Sequence, residues 1–301
     1  MAMSTGWNAK RHDDARGAVE EILNFGIDNI EAGYSMQPSQ LDELAGLLPE
    51  GNIKVISIHN FCPIPPDHKC NWGDDFLLSS PNEELRKKGI RSTLQTIAWA
   101  QKLKAKIVVM HLGIVEMDRG LYNSIKQAIA DGREGEPAFR LAIEEMKEER
   151  DRLIKPHFDA VRRTLDDIAA RLPKGIVLGL ENRYEYSSIP NIREMETLLN
   201  EYGGLVGYWH DTGHAFVQET MGFYEKDEYI KTLHHRLIGL HIHDSLKISD
   251  HRAPGYGEID FASLLKPYLK DEIIKVLEFH PRVTPAEAAK GIEFLRMKDI
   301  I

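Results

Sequence analysis

The sequence predicts one α/β domain over residues 1–301 that folds as a (β/α)8 barrel, the TIM-barrel architecture. Short runs rich in Val, Ile and Leu alternate with amphipathic stretches along the whole chain. Strict alternation of this kind is typical of a parallel sheet with helical crossovers. No Gly-rich dinucleotide or phosphate-loop fingerprint follows any apolar run, which disfavours an open doubly wound sheet. Eight strand–helix units in 301 residues therefore favour a closed barrel.

The elements are predicted in order along the chain. The strands are the apolar runs: a short one inside residues 1–7, then 27–33, 53–60, 106–113, 175–182, 205–211, 237–244 and 273–280. Helices are expected where apolar residues recur every three or four positions between Gly or Pro: 14–25, 39–48, 83–104, 140–171, 191–202, 226–235, 261–269 and 284–297.

Two connections are longer than a minimal barrel needs, at about 61–82 and 114–150. The first is rich in Pro and leaves a strand at the end where barrel active sites lie, so we interpret it as a pocket wall or a lid. The second is rich in Glu, Lys and Arg and is interpreted as a solvated helical excursion. The alternative for the second is a subunit contact in a homo-oligomer.

Composition and charge limit the classes of function. The formal net charge is -9, so the chain has no general attraction for nucleic acid or anionic lipid. No apolar run approaches the roughly 20 residues that span a bilayer, and the N-terminus lacks the layout of a signal peptide. Cys62 and Cys70 are too few for a disulfide framework and are expected to be reduced thiols. We expect a soluble, cytoplasmic protein.

Several of the predicted strands end in residues whose side chains can bind a metal. Successive residues of a strand point to opposite faces. This alternation predicts one shared inward face, opposite mainly apolar neighbours, for Glu31, His59, His111, Glu181, Asp211, His241 and Glu278. The strand ends of a barrel meet at its C-terminal mouth, where active sites of such barrels lie. The sequence therefore predicts one polar site at the mouth.

The expected site suits a divalent metal. Glu181, Asp211, His241 and Glu278 offer three carboxylates and one imidazole, a set suited to Mn, Mg or Co and tolerant of Zn. Three carboxylates in one pocket would repel each other unless a cation neutralised them. The alternative for these four residues is an ion-pair network with Arg183 or Arg282. For His59 and His111, metal contact and hydrogen bonding within the mouth both remain open.

The order of these pieces resembles the xylose-isomerase-like barrel superfamily, which includes sugar isomerases and epimerases and metal-dependent apurinic/apyrimidinic endonucleases. The similarity covers nearly all of the chain. It is carried by Ile30-Glu31, Ser57-Ile-His59, Val109-Met-His111, Leu180-Glu181-Asn182, Asp211-Thr-Gly-His214, His241-Ile-His-Asp244, Pro254-Gly-Tyr-Gly-Glu-Ile-Asp260 and Leu277-Glu278-Phe.

The resemblance to the ketose epimerases implies a metal-dependent isomerase or epimerase for a small sugar, sugar phosphate or polyol. Residues matching Glu181, Asp211, His241 and Glu278 hold one metal there, and the two glutamates serve as acid and base through an enediolate. His214 would contact substrate oxygens. Further substrate-binding candidates are Glu31, Arg183, His243 and Arg252. For Glu31 and His243 the alternative is a hydrogen bond that supports a metal ligand from behind.

The endonuclease branch gives the alternative function, a multi-zinc phosphodiester hydrolase. In that branch residues matching His59, His111 and His214 hold further zinc ions. Those enzymes also carry an Asp-x-His pair after the seventh strand, where this chain has Ser249-Asp250-His251-Arg252. The shifted register argues against a third metal, and the acidic charge argues against DNA. A non-catalytic sugar-binding barrel is the remaining alternative, and retention of both Glu181 and Glu278 argues against it.

Overall fold

A computed structural model of the protein describes residues 1–65 and 76–301. Eight parallel strands form a barrel: β1 (Ala2–Ser4), β2 (Asn29–Ala32), β3 (Lys54–His59), β4 (Ile107–Met110), β5 (Val177–Glu181), β6 (Val206–Asp211), β7 (Leu237–Ile242) and β10 (Ile274–Leu277). The sheet closes in the order β1-β10-β7-β6-β5-β4-β3-β2. The predicted (β/α)8 barrel and all eight of its predicted strands are confirmed.

Helices surround the barrel. Each of the eight helices expected from the sequence is present, as α1 (Ala15–Leu23), α2 (Pro38–Leu47), α3 (Glu83–Leu103), α5 (Pro137–Ala169), α6 (Ile192–Glu201), α8 (Glu228–Leu233), α9 (Phe261–Leu265) and α10 (Pro285–Met297). Side-chain caps fix several starts, because Asp14, Asn191 and Thr284 each accept a hydrogen bond from a backbone N–H in the first turn.

Three further elements are present: α4 (Arg119–Ala130), α7 (Thr212–Thr220) and a hairpin of β8 (Asp244–Leu246) and β9 (Ser249–Arg252). The helix α4 lies in the connection that the sequence analysis interprets as a helical excursion, whereas α7 and the hairpin were not predicted. The helix α7 follows β6 without a connecting loop, and its first-turn N–H of His214 is capped by the Asp211 carboxylate at 2.7 Å. All three elements lie at the mouth of the barrel, so they bear directly on the site.

Trp209 fills the inside of the barrel. Its side chain is buried on β6, beside Ala2, Ile107, Val109 and Val276. Two neighbouring strands carry glycine at this level, and a Cβ on Gly239 would overlap the Trp209 ring, while one on Gly179 would crowd it. The inward glycines therefore leave the space that the indole occupies. The indole edge in turn meets the His241 ring, with ring centroids 5.2 Å apart, so the packed interior supports the polar mouth.

The second long connection is only partly solvated, because its helix α4 buries one face. One side of α4 buries Tyr122, Ile125 and Ile129 in a small apolar cluster of its own, together with Phe139 of α5 and Val217 of α7. This cluster lies over the mouth and packs separately from the main core between strands and helices. Of the first long connection, residues 66–75 lie outside the described part of the chain.

Arg150 ties α5 to the connection that leaves β5 at the mouth. Its fully buried guanidinium donates to both carboxylate oxygens of Glu194, at 2.7 and 2.9 Å, and to the carbonyl of Ser188, at 2.8 Å. Glu194 also belongs to the capping box of α6. Within residues 1–65 and 76–301 we find no helix that is long and apolar enough to cross a membrane.

We predict that Arg150→Ala lowers the free energy of unfolding by about 3–5 kcal/mol, because the substitution leaves the Glu194 carboxylate without its buried partner. Chemical denaturation monitored by circular dichroism measures this change. Arg163→Ala on the exposed side of the same helix is the matched control, with an expected change of less than about 0.5 kcal/mol. Equal stability of the two variants would contradict the prediction.

Candidate metal centre at the barrel mouth

Four strand ends bring Glu181, Asp211, His241 and Glu278 together. One donor atom from each of these residues lies within 4.8 Å of the others, and all four residues are buried. His241 stands at the centre, with its Nδ1 atom 3.2 Å from Glu181 Oε1, 3.1 Å from Glu278 Oε2 and 3.9 Å from Asp211 Oδ2. One imidazole nitrogen therefore shares a small space with three carboxylates.

Glu31 holds the other side of the His241 ring. Both Glu31 carboxylate oxygens lie 3.1 Å from His241 Nε2, and the Ser57 hydroxyl donates to Glu31 at 2.9 Å. Nε2 of His241 therefore faces Glu31, while Nδ1 faces the other three carboxylates. Glu31 is fully buried behind the ring and does not line the cavity described below.

His59 and His111 meet the outer oxygen of Glu181. His111 Nε2 lies 2.8 Å and His59 Nε2 lies 3.5 Å from Glu181 Oε2, and the two rings are perpendicular with centroids 4.5 Å apart. These three residues form a second group whose donor atoms can all reach one ion, and His59 joins a further such group with His241 and Glu278. The geometry is compatible with either of the alternatives left open by the sequence, a hydrogen-bonded pair or a second metal site.

Sequence reasoning missed Asp250 and His251 as site residues. The hairpin of β8 and β9 folds back over the mouth, where His251 has a φ of 54° and its Nε2 lies 3.7 Å from Glu278 Oε2. Asp250 lies 3.3 Å from His251 Nδ1 and 3.7 Å from His214 Nε2. The adjacent Asp-His pair was visible in the sequence, but its positive-φ backbone and its return to the mouth were not.

A fourth donor group joins the hairpin to α7: Asp211, His214, His243 and His251. His243 Nε2 lies 2.9 Å from Asp211 Oδ2, and His243 Nδ1 accepts from the backbone N–H of His251 at 2.9 Å. His243 is fully buried and does not line the cavity. In this arrangement it connects Asp211 to the hairpin and stands behind the ligands.

Burial and charge compensation set the pKa values of the centre. Burial alone would raise the pKa of Glu181, but the imidazoles of His111 and His241 outweigh it and hold the pKa well below its usual range. Burial would lower the pKa of His241, but Glu278, Glu31 and Glu181 together raise it well above its usual range. The pKa of Glu278 is likewise lowered, against burial, chiefly by His241 and His251. The carboxylates are thus ionised and the central imidazole is protonated.

This donor set fits a divalent cation. The imidazole proton and a metal ion are alternative ways to neutralise the same three carboxylates, and metal binding would release that proton. Carboxylate oxygens with one or two imidazoles suit Mn, Mg, Co or Zn. Glu181, Asp211, His241 and Glu278 would hold such an ion, with Glu31 orienting the imidazole from behind.

A cavity of about 340 Å³ opens over the centre. Glu278, His59 and His111 lie at its base, and its walls include Tyr34, Arg183, Tyr184, Asp250, His251, and Tyr122 and Lys126 of α4. The Arg183 guanidinium is buried, 3.4 Å from His214 Nε2. The size is at the lower end of the range for small-molecule pockets.

Arg252 lies outside this cavity. Its guanidinium donates to the carbonyl and hydroxyl of Ser249, and it lines a neighbouring cavity with Arg282 and Glu287. Among the substrate-binding candidates from the sequence, Arg183 alone lines the cavity over the centre.

The family follows from a comparison of the sequence. Residues 19–298 match the model of the family described as xylose isomerase-like TIM barrel, and the chain belongs to this family. No curated protein sequence matches the chain.

Solved structures share the fold at low sequence identity. A D-tagatose 3-epimerase-like protein matches with a TM-score of 0.65 and 20% identity, over 99% of this chain and 96% of that one. The IOLI protein with a bound zinc atom matches with a TM-score of 0.64 and 15% identity, over 99% and 97%. Endonuclease IV from Thermus thermophilus matches with a TM-score of 0.59 and 17% identity, over 99% and 97%. At these identities the similarity is one of fold.

We predict that Glu31→Gln weakens the binding of one divalent ion about 10-fold or more, because the uncharged amide no longer raises the basicity of His241. Competition with a metal-binding dye measures the affinity without any substrate. The exposed Glu20→Gln on α1 is the control and should bind the ion as the original chain does. Unchanged affinity in the Glu31 variant would show that the carboxylate does not support the ligand.

Proposed function

We propose that the protein is a divalent-metal-dependent isomerase or epimerase of a small polyhydroxylated carbonyl compound, a sugar or sugar phosphate. The observation that carries the proposal is the position of Glu278. Its carboxylate belongs to the four-residue donor group and also lines the small cavity. A base in that position can reach a carbon next to an oxygen that lies at the metal centre.

The metal would supply acidity to the C–H bond between two neighbouring oxygens of the substrate. Glu278 borders the cavity, so its carboxylate can take up that proton. The His251 imidazole, 3.7 Å from Glu278 and held by Asp250, keeps this carboxylate oriented at the base of the cavity. Arg183 and the tyrosines of the wall offer donors to the remaining substrate hydroxyls.

The proton must then return to carbon. In the two-glutamate scheme of the related epimerases, Glu181 would return it from the opposite face. Glu181 is fully buried, meets His111 and His241 with its two oxygens, and does not line the cavity. Glu278 does line it. The arrangement therefore favours removal and return by Glu278 on one face, as in the shift of a carbonyl between adjacent carbons, with Glu181 holding the metal.

A multi-zinc phosphodiester hydrolase is the second candidate, because His59, His111 and Glu181 form a separate donor group beside the first. Two observations disfavour a nucleic-acid substrate. The cavity is walled on one side by Tyr122 and Lys126 of α4, which leaves room for a small molecule, and the net charge of the chain is -9.

We predict that Glu278→Gln lowers turnover at least about 100-fold while it retains the metal, because the amide can still offer an oxygen ligand but cannot accept a proton. Exchange of substrate C–H for deuterium in D2O, followed by NMR over a panel of ketopentoses, ketohexoses and their phosphates, detects any isomerase or epimerase. Glu181→Ala, which removes the oxygen ligand altogether, is expected to lose the metal along with the activity.

Glu293→Gln, on the exposed side of α10, is the control for these two variants and should keep both activity and metal. Normal exchange in the Glu278 variant would overturn the assignment of Glu278 as the base. Loss of activity with full metal content in the Glu181 variant would instead restore the two-glutamate scheme.

Metal stoichiometry distinguishes the two candidate functions. We predict about one divalent ion per chain in protein purified without chelator, measured by elemental mass spectrometry, because the four-residue group has the largest number of carboxylates to neutralise. His111→Ala should leave this count unchanged. Two or three zinc ions, one of them lost in His111→Ala, would favour the hydrolase and direct the search to phosphodiesters.

A further inference from the structure

A second large cavity, of about 490 Å³, opens at the opposite end of the barrel from the metal centre. It is lined by residues where strands begin: Lys54 starts β3, Lys106 precedes β4, and Ile274 starts β10. Because β3 and β10 are not neighbours in the barrel, a cavity that reaches both extends across its N-terminal opening. Nothing in the proposed reaction uses this cavity.

The inner surface of this cavity is apolar. Ile56 and Ile274 line it while they pack against the cluster that fills the barrel interior around Trp209. Leu103, the buried last residue of α3, lines another part. An alkyl chain that entered this part of the cavity would therefore be removed from water, and few polar groups would lose their hydrogen bonds to water.

The rim of the cavity is basic. Lys54, Lys104 and Lys106 are exposed, and within residues 1–65 and 76–301 none of them forms an ion pair. No Asp or Glu of the described chain lines the cavity, although acidic residues outnumber basic ones, 47 to 38, in the whole sequence. Three unpaired cations around an apolar interior in an acidic protein are complementary to an anion with an apolar tail.

We propose that this cavity binds an amphipathic carboxylate with an unbranched alkyl chain of medium length. The alkyl chain occupies the apolar part toward Ile56 and Ile274, and the carboxylate remains at the rim among the three lysines. A carboxylate suits lysine ammonium groups, which act as compact point charges on flexible stems. This site is independent of the metal centre and of the proposed isomerase activity.

The test uses the metal-loaded full chain at low ionic strength, with decanoate as the probe in isothermal titration calorimetry. We expect a sub-millimolar dissociation constant for decanoate. Hexanoate should bind at least tenfold more weakly, because each buried methylene contributes roughly a three- to fourfold change. Uncharged 1-decanol should also bind more weakly than decanoate, because it gains no attraction from the rim.

Variants locate the site. The triple variant Lys54→Gln, Lys104→Gln and Lys106→Gln should weaken decanoate binding about tenfold. The matched control makes the same charge change at exposed lysines elsewhere: Lys10→Gln, Lys226→Gln and Lys290→Gln. It should stay within about twofold of the original chain. These surface substitutions leave the packed interior intact, and circular dichroism verifies the fold.

Three results would overturn the proposal. The first is no binding of decanoate at millimolar concentration. The second is equal weakening in the two triple variants, which would indicate a general charge effect. The third is binding that survives in the rim variant but is lost in Glu278→Gln, which would place the carboxylate at the metal centre. None of these results bears on the isomerase proposal, which is tested by proton exchange at the other end of the barrel.

Discussion

The mutual neutralisation of carboxylates and imidazoles at the C-terminal mouth of the barrel is the constraint on which the rest of the mouth depends. Glu31, Glu181, Asp211 and Glu278 are all removed from water, and an isolated buried carboxylate is costly. His241 satisfies this constraint from both ring nitrogens, toward Glu31 on one side and toward the other three on the other. A metal ion at Nδ1 would meet the same requirement with greater charge, so a centre of this kind is prepared for a cation.

The apolar interior of the barrel fixes the position of this charged layer. Trp209 occupies the level below the mouth because Gly179 and Gly239 on the adjacent strands have no side chain there. Its ring edge meets His241, so the imidazole rests on a packed indole while Glu31 fixes its rotation. A ligand that is held by packing from below and by a hydrogen bond from behind loses little entropy when a metal binds.

Local periodicity was sufficient to predict the barrel and the convergence of seven inward side chains, because alternation along a strand depends only on the neighbouring residues. It was not sufficient for α7 or the hairpin, and it did not reveal that α4 buries one of its faces. The helix α7 begins directly after the last residue of β6, which caps it, and its Gly213 and His214 look like a loop in the sequence. The placement of His251 requires a positive φ and a hairpin that returns over the mouth. The same hairpin carries Arg252, one residue further on, to a neighbouring cavity.

The division between strands and connections also determines which parts of the site the fold imposes. The strand ends supply the donor groups, and their spacing is imposed by the closed sheet. The walls of the cavity come from the connections: Tyr122 and Lys126 from α4, and Asp250 and His251 from the hairpin. Since these connections are free to vary without disturbing the barrel, relatives can share the centre and act on different molecules. The small enclosure beneath α4, with Lys126 and Arg183 in its walls, is thus the part of the site that the barrel itself does not impose.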